Sequence, residues 1–226
     1  MNRKLACSLC LAVFAVGWNA SRASAGGVTI FTDLGPSGNV YGTGGHDVSG
    51  AGSSSHGISF TSADLFTALS SSLVSQIDLA VSNEQAPPTF YAGIWTDAGG
   101  TPGTQVAGAY WSPLTTSQSY PGCCGLVTIT GISGVSLTGG ESYFMVLGPL
   151  SISDDSFNVW NFNNQGVTGL HLYSNDGGST WTGFTDTLGA FDILGTSAAV
   201  PEPGAAVLFA SAGIIMVGLG LARRNS

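Results

Sequence analysis

The chain has 226 residues, of which 43% are hydrophobic and only 8% charged, with a formal charge of −8 and four cysteines. All five basic residues (Arg3, Lys4, Arg22, Arg223, Arg224) lie near the ends, so residues 26–200 hold twelve Asp and Glu against no Lys or Arg, a charge near −12. That excludes nucleic acid as a partner and disfavours phosphate, nucleotide and sulfate ligands, all of which need cationic side chains.

In chain order, Arg3 and Lys4 precede the short apolar run "LACSLCLAVFAV" and the small residues Ala23, Ser24 and Ala25. This is the layout of a secretory signal cleaved after Ala25, giving a leader over 1–25 that removes Cys7 and Cys10. After the apolar "VTIF", a Gly/Ser-rich segment over 35–55 reads as a long loop or poorly ordered arm. Residues 62–73, "SADLFTALSSSL", are the one stretch with helical spacing, in which Leu65, Phe66, Leu69 and Leu73 would share a face.

The remaining pattern is of strands. "SQIDLAVS" (75–82) alternates Ile77, Leu79 and Val81 with polar neighbours, the period of a half-buried strand. "TFYAGIWTD", "VAGAYWS", "LVTIT", "SYFMVLG", "FNVWNF", "GLHLYS" and "AFDILG" continue the series, separated by turns such as "LTGGE" and "NDGGS". Many short strands with Gly-rich turns predict an all-β fold, a β-sandwich of jelly-roll type over 26–198. Four tryptophans and abundant Phe, Ile, Leu and Val supply its core, so the acidity does not imply disorder. With no basic side chain nearby, its carboxylates must be solvated, hydrogen-bonded or bound to a cation.

Few motifs in this stretch carry chemistry. "SNDGGSTW" matches the Asp-box pattern at Ser174, Asp176, Gly178, Thr180 and Trp181, a hairpin turn in which the carboxylate caps backbone N–H groups. The motif is familiar from sialidases, but those enzymes hold their substrate with arginines, which this stretch lacks. Cys123 and Cys124 in "PGCCG" are the only cysteines left after leader removal, and their one intrachain partner is each other, so the options are a vicinal bridge stiffening a turn, free thiols or an intermolecular link. No activating base or Cys-x-x-Cys spacing points to redox chemistry. His46, His56 and His171 show no metal-ligand spacing, and no nucleophile elbow, P-loop or dinucleotide fingerprint occurs. Asp154, Asp155 and Asp176 in oxygen-rich loops are the calcium candidates, and no other cofactor is expected. Trp95, Trp111 and Trp160 are the candidates for stacking on a sugar.

The segments "SQIDLAVS", "FYAGIWTDAGGTPGTQVA" and "LTGGESYFMVLGP", with a final Trp-containing strand pair, resemble the extracellular choice-of-anchor domains. That resemblance implies a β-sandwich at a cell surface or in a matrix, with no catalytic residues to transfer.

At the far end "VPEPG" is followed by 19 uncharged residues over 204–222 and then by Arg223 and Arg224. As a helix the run would span roughly 28 Å, near the hydrocarbon thickness of a bilayer, with the arginines as a cytoplasmic stop. Pro201 and Pro203 keep the motif extended outside the membrane. Residues 199–226 thereby resemble the PEP-CTERM sorting signal of Gram-negative bacteria, with Pro201, Glu202 and Pro203 as its motif. The resemblance implies passage across the inner membrane, transient residence there, and processing by an exosortase-type enzyme. The expected product is an exported surface or matrix protein with a non-catalytic ectodomain, structural or binding extracellular polysaccharide in a biofilm. The alternative is a carbohydrate-active hydrolase using two of the twelve acids.

Overall fold

The computed structural model describes residues 27–37 and 39–197. The expected cleavage residues Ala23 and Ala25, the motif Pro201, Glu202 and Pro203, and the stop Arg223 and Arg224 lie outside them. The described residues form strands β1 (Gly27–Thr32), β2 (Gly45–Ser49), β3 (Thr61–Thr67), β4 (Ser72–Leu79) and β5 (Val81–Gln85). There follow β6 (Thr89–Asp97), β7 (Pro102–Thr115), β8 (Val127–Thr130), β9 (Ser136–Leu137) and β10 (Ser142–Gly148). The series ends with β11 (Phe157–Asn161), β12 (Thr168–Ser174), β13 (Thr182–Thr187) and β14 (Phe191–Ser197). Among the described residues no helix is long and apolar enough to cross a membrane.

The strands pair antiparallel into three sheets, of order β13-β12-β3-β10-β6-β7, β1-β14-β4-β8 with β9 also on β4, and β2-β11-β5. One buried cluster interleaves Phe90, Ile94, Met145 and Leu147 from the six-stranded sheet with Ile30, Ile77, Phe191 and Ile193 from the five-stranded one. Val48, Val81 and Trp160 of the three-stranded sheet join the same cluster. The large sheet therefore packs on the other two as a β-sandwich, with the period-two residues of each strand directed inward.

Two expectations fail here. Residues 62–73 form no helix: β3 crosses the middle of the large sheet with both faces buried, Asp64 and Phe66 inward, Ala63 and Leu65 outward. A strand covered on both sides loses its alternation, and Leu69, needed for the helical stripe, is 71% exposed. The Gly/Ser-rich segment is not a loose arm either. It contains β2, and Leu34, Val40 and Tyr41 fold back onto Ala80 and Ala190, with Tyr41 Oη donating to Gly125 O at 2.9 Å. Cys123 and Cys124 are joined as a vicinal disulfide in the loop that receives this contact.

Just past β1, Asp33 is buried and accepts the Phe191 N–H at 2.7 Å. Burial, opposed by that hydrogen bond and reinforced by the neighbouring Asp64, pushes its carboxyl from 3.8 up to about 8. The folded protein thus keeps a proton that the unfolded chain releases above about pH 4, so stability from this group falls as pH rises toward 8. Between pH 4 and 6.5 the buried, neutral His46, held down to about 4, acts in the opposite sense. Above pH 6.5 only the Asp33 effect of the two remains, and urea midpoints should decline from pH 6.5 to 8.5. Asp33→Asn, which mimics the protonated acid, should flatten that decline; an unchanged slope would contradict the assignment.

Candidate functional site

The outward face of the large sheet is aromatic. On β6, Tyr91, Gly93 and Trp95 alternate outward, opposite Gly148, Val146 and Phe144 of β10. Tyr110 of β7 stands opposite Gly93. A side-chain carbon on Gly93 would lie 2.6 Å from the Trp95 ring, and one on Gly148 2.6 Å from the Tyr91 ring. Both rings therefore lie flat on the sheet, each over a glycine that leaves it room. They cover Phe144, Val146 and Ala63 together with Leu65, Leu170 and Trp181. Tyr91 stacks on Tyr110 with centroids 5.2 Å apart, and Tyr110 is 45% exposed.

Of the three tryptophans expected to stack on sugar, only Trp95 lies on this face. Trp111 pairs with Ala92 and packs inward against the main core. Trp160 is fully buried, its Nε1 donating to Ala190 O at 3.2 Å, so it offers no face to a ligand and that expectation is corrected. Tyr91 and Tyr110, absent from the expectation, complete the platform. The signal for them was in "TFYAGIWTD", where the same alternation that places Ile94 inward places Tyr91 outward.

Beside Tyr91 a cavity of about 200 Å³ is lined by Thr61, Leu150, Ile152, Asp176 and Gly177 among others. Its Asp-box wall is the hairpin turn expected between β12 and β13. Asp176 Oδ1 accepts from Ser174 Oγ at 2.7 Å and Thr180 N at 2.8 Å, and Oδ2 accepts from Thr180 Oγ1 at 2.7 Å. These bonds, that from Thr180 foremost, hold the carboxyl down to about 2. Gly177 and Gly178 take φ of +70° and +92° to make the turn. With its oxygens so engaged, Asp176 caps a turn. Asp154 likewise caps its own loop, accepting from Leu150 N and Ser156 N. Among the described residues neither these two nor the exposed Asp155 belongs to a group of three or more His, Cys, Asp or Glu side chains drawn together.

A different cluster does meet that condition. His46 on β2, Asp64 on β3 and His171 on β12 are 6%, 0% and 2% exposed, with ligating atoms within 4.8 Å of one another. Strand register places His171 directly opposite Asp64. His171 Nδ1 donates to Asp64 Oδ1 at 2.7 Å, and Asp64 Oδ2 accepts the Gly189 N–H at 2.6 Å. His46 stacks on His171 with ring centroids 3.4 Å apart and planes 5° apart, and its Nε2 donates to Thr187 O at 2.9 Å. The cluster borders a pocket of about 240 Å³ between β2 and the β3-β12-β13 edge, walled by Phe60, Tyr173 and Phe184 with Asp47 at its rim. Burial raises the Asp47 carboxyl, opposed by His56 at 3.3 Å. No short sequence spacing reports this arrangement, because His171 and Asp64 are 107 residues apart.

The sheets also set Asp192 opposite Asp78 on β14 and β4. Burial, with Asp78 adding to it, raises Asp192 to about 6. Asp78 is hydrogen-bonded by Gln76 and Thr128. No protein-family model matches the chain, and no curated protein does.

Proposed function

We propose that the protein is an exported surface or matrix protein of a Gram-negative bacterium, sorted by an exosortase-type enzyme, with a non-catalytic carbohydrate-binding ectodomain of jelly-roll type. The leader-like residues 1–25 and the Pro-Glu-Pro, apolar run and arginines of 199–226 support the delivery route. The flat platform of Trp95, Tyr91 and Tyr110 carries the binding reading, since an open aromatic face suits the apolar face of a sugar ring. The acidic charge favours a neutral polysaccharide over an anionic one. The cavity beside Tyr91 extends the platform with the Ser151 hydroxyl as a polar contact.

A glycan array probed with the full chain should show retention on neutral glycans. Trp95→Ala and Tyr110→Ala should each weaken it by about tenfold, near 1.4 kcal/mol. Unchanged binding by a folded Trp95→Ala variant would overturn the platform. For delivery, mass spectrometry of the surface-exposed protein should find a C-terminus upstream of Ser226; an intact terminus there would refute processing.

A further inference from the structure

We propose that His46 and His171 form a binding site for a divalent transition ion of the zinc–copper class, with Asp64 as the positioning residue behind His171. Both imidazoles have one ring nitrogen committed: His171 Nδ1–H to Asp64 and His46 Nε2–H to the Thr187 carbonyl. That leaves His171 Nε2 and His46 Nδ1 as the lone pairs. A carboxylate or carbonyl behind each imidazole is the arrangement that fixes tautomer and raises basicity in metal-ligating histidines. Imidazole nitrogen is the donor that zinc and copper favour.

The surroundings favour a cation. The pocket alongside offers carboxylate, hydroxyl and aromatic faces, and the described residues include no Lys or Arg. Its volume of about 240 Å³ leaves room for waters to complete the coordination shell. The stacked rings set a condition on the site. Two parallel planes 3.4 Å apart cannot both contain one ion, so binding tilts one ring out of the stack. His46 is the ring that yields, since a single carbonyl holds it, whereas His171 is fixed through Asp64 and its second bond to Gly189. Two protein ligands and a required tilt place the affinity in the micromolar range, not at the level of a closed four-ligand site.

The test uses the untagged full chain, stripped with chelator and titrated with Co²⁺ while its visible d–d absorption is followed, then displaced with Zn²⁺. One equivalent should bind. Asp64→Asn is the informative variant: its amide can donate to His171 Nδ1, which moves the ring proton to Nε2 and removes the lone pair while Gly189 keeps an acceptor. It should bind Co²⁺ at least about tenfold more weakly. His46→Gln, whose amide can still reach Thr187 O, should also lose the absorption band with the thermal melt showing a folded protein. A wild-type chain that gives no band at submillimolar Co²⁺ would overturn the site, as would a folded Asp64→Asn or His46→Gln that binds as tightly as wild type. Glycan retention is read separately, so failure here leaves the outer platform standing and failure there leaves this site standing.

Discussion

Asp64→Ala lowers the free energy of unfolding by about 3–5 kcal/mol, read as a fall in the urea midpoint at constant slope. The size follows from what the carboxylate satisfies. It is fully buried and accepts two hydrogen bonds, from the His171 imidazole and from the Gly189 backbone N–H. Alanine leaves both donors unpartnered away from water, and an unpartnered buried donor costs about 1–3 kcal/mol. Asp64→Asn should cost far less, because Oδ1 can keep Gly189 while the amide donates to a tautomer-shifted His171. A loss below about 1 kcal/mol in Asp64→Ala would mean that water reaches the cluster and that the sheets are less closed at β3 and β12 than the hydrogen bonds require.

The second large effect is Trp160→Ala, expected at about 3–5 kcal/mol from lost burial and the cavity left behind. Trp160 is wholly enclosed on β11 and packs against Phe191 with ring centroids 5.7 Å apart. Its indole lies on Gly189, where an added carbon would meet the ring at 2.5 Å. Gly189→Ala should therefore be damaging too, and combining the two substitutions should cost less than their sum, because removing the indole clears the space. Thermal melts of the two single variants and the double variant check this. Strict additivity would show that the indole and Gly189 are not in contact.

How much of this was legible in the sequence depends on whether neighbouring residues or distant ones set the feature. Residues 75–82 read as one strand because one face is apolar and the other is not. The chain is extended there, but it breaks at Ala80, where β4 ends and β5 begins in another sheet, a change the alternation does not mark. Residues 62–73 read as helical because β3, which holds their first half, is covered on both faces, and only the neighbouring strands reveal that. The Asp-box was legible because its hydrogen bonds close within the eight residues 174–181. Trp95 was legible as a ring but not as part of a platform, since Tyr110 joins Tyr91 on the same face only through strand pairing. Trp160 illustrates the reverse: nothing in "FNVWNF" distinguishes a core indole from a surface one. His46 and His171 were read as isolated residues and Asp64 was not singled out, because three strands from two sheets bring them together, and pairing at that range leaves no local period.

The first and last described strands are neighbours, with Gly27 opposite Thr196 at one end of the β1-β14 ladder. The described chain therefore enters and leaves the sandwich at a single corner, so a load applied through either end acts at one point. A pull transmitted along β14 from that corner loads its cross-strand hydrogen bonds to β1 and β4 in parallel, as shear, because the bonds run perpendicular to the strand. Mechanical resistance would thus reside in the five-stranded layer, on the opposite side of the sandwich from the aromatic face.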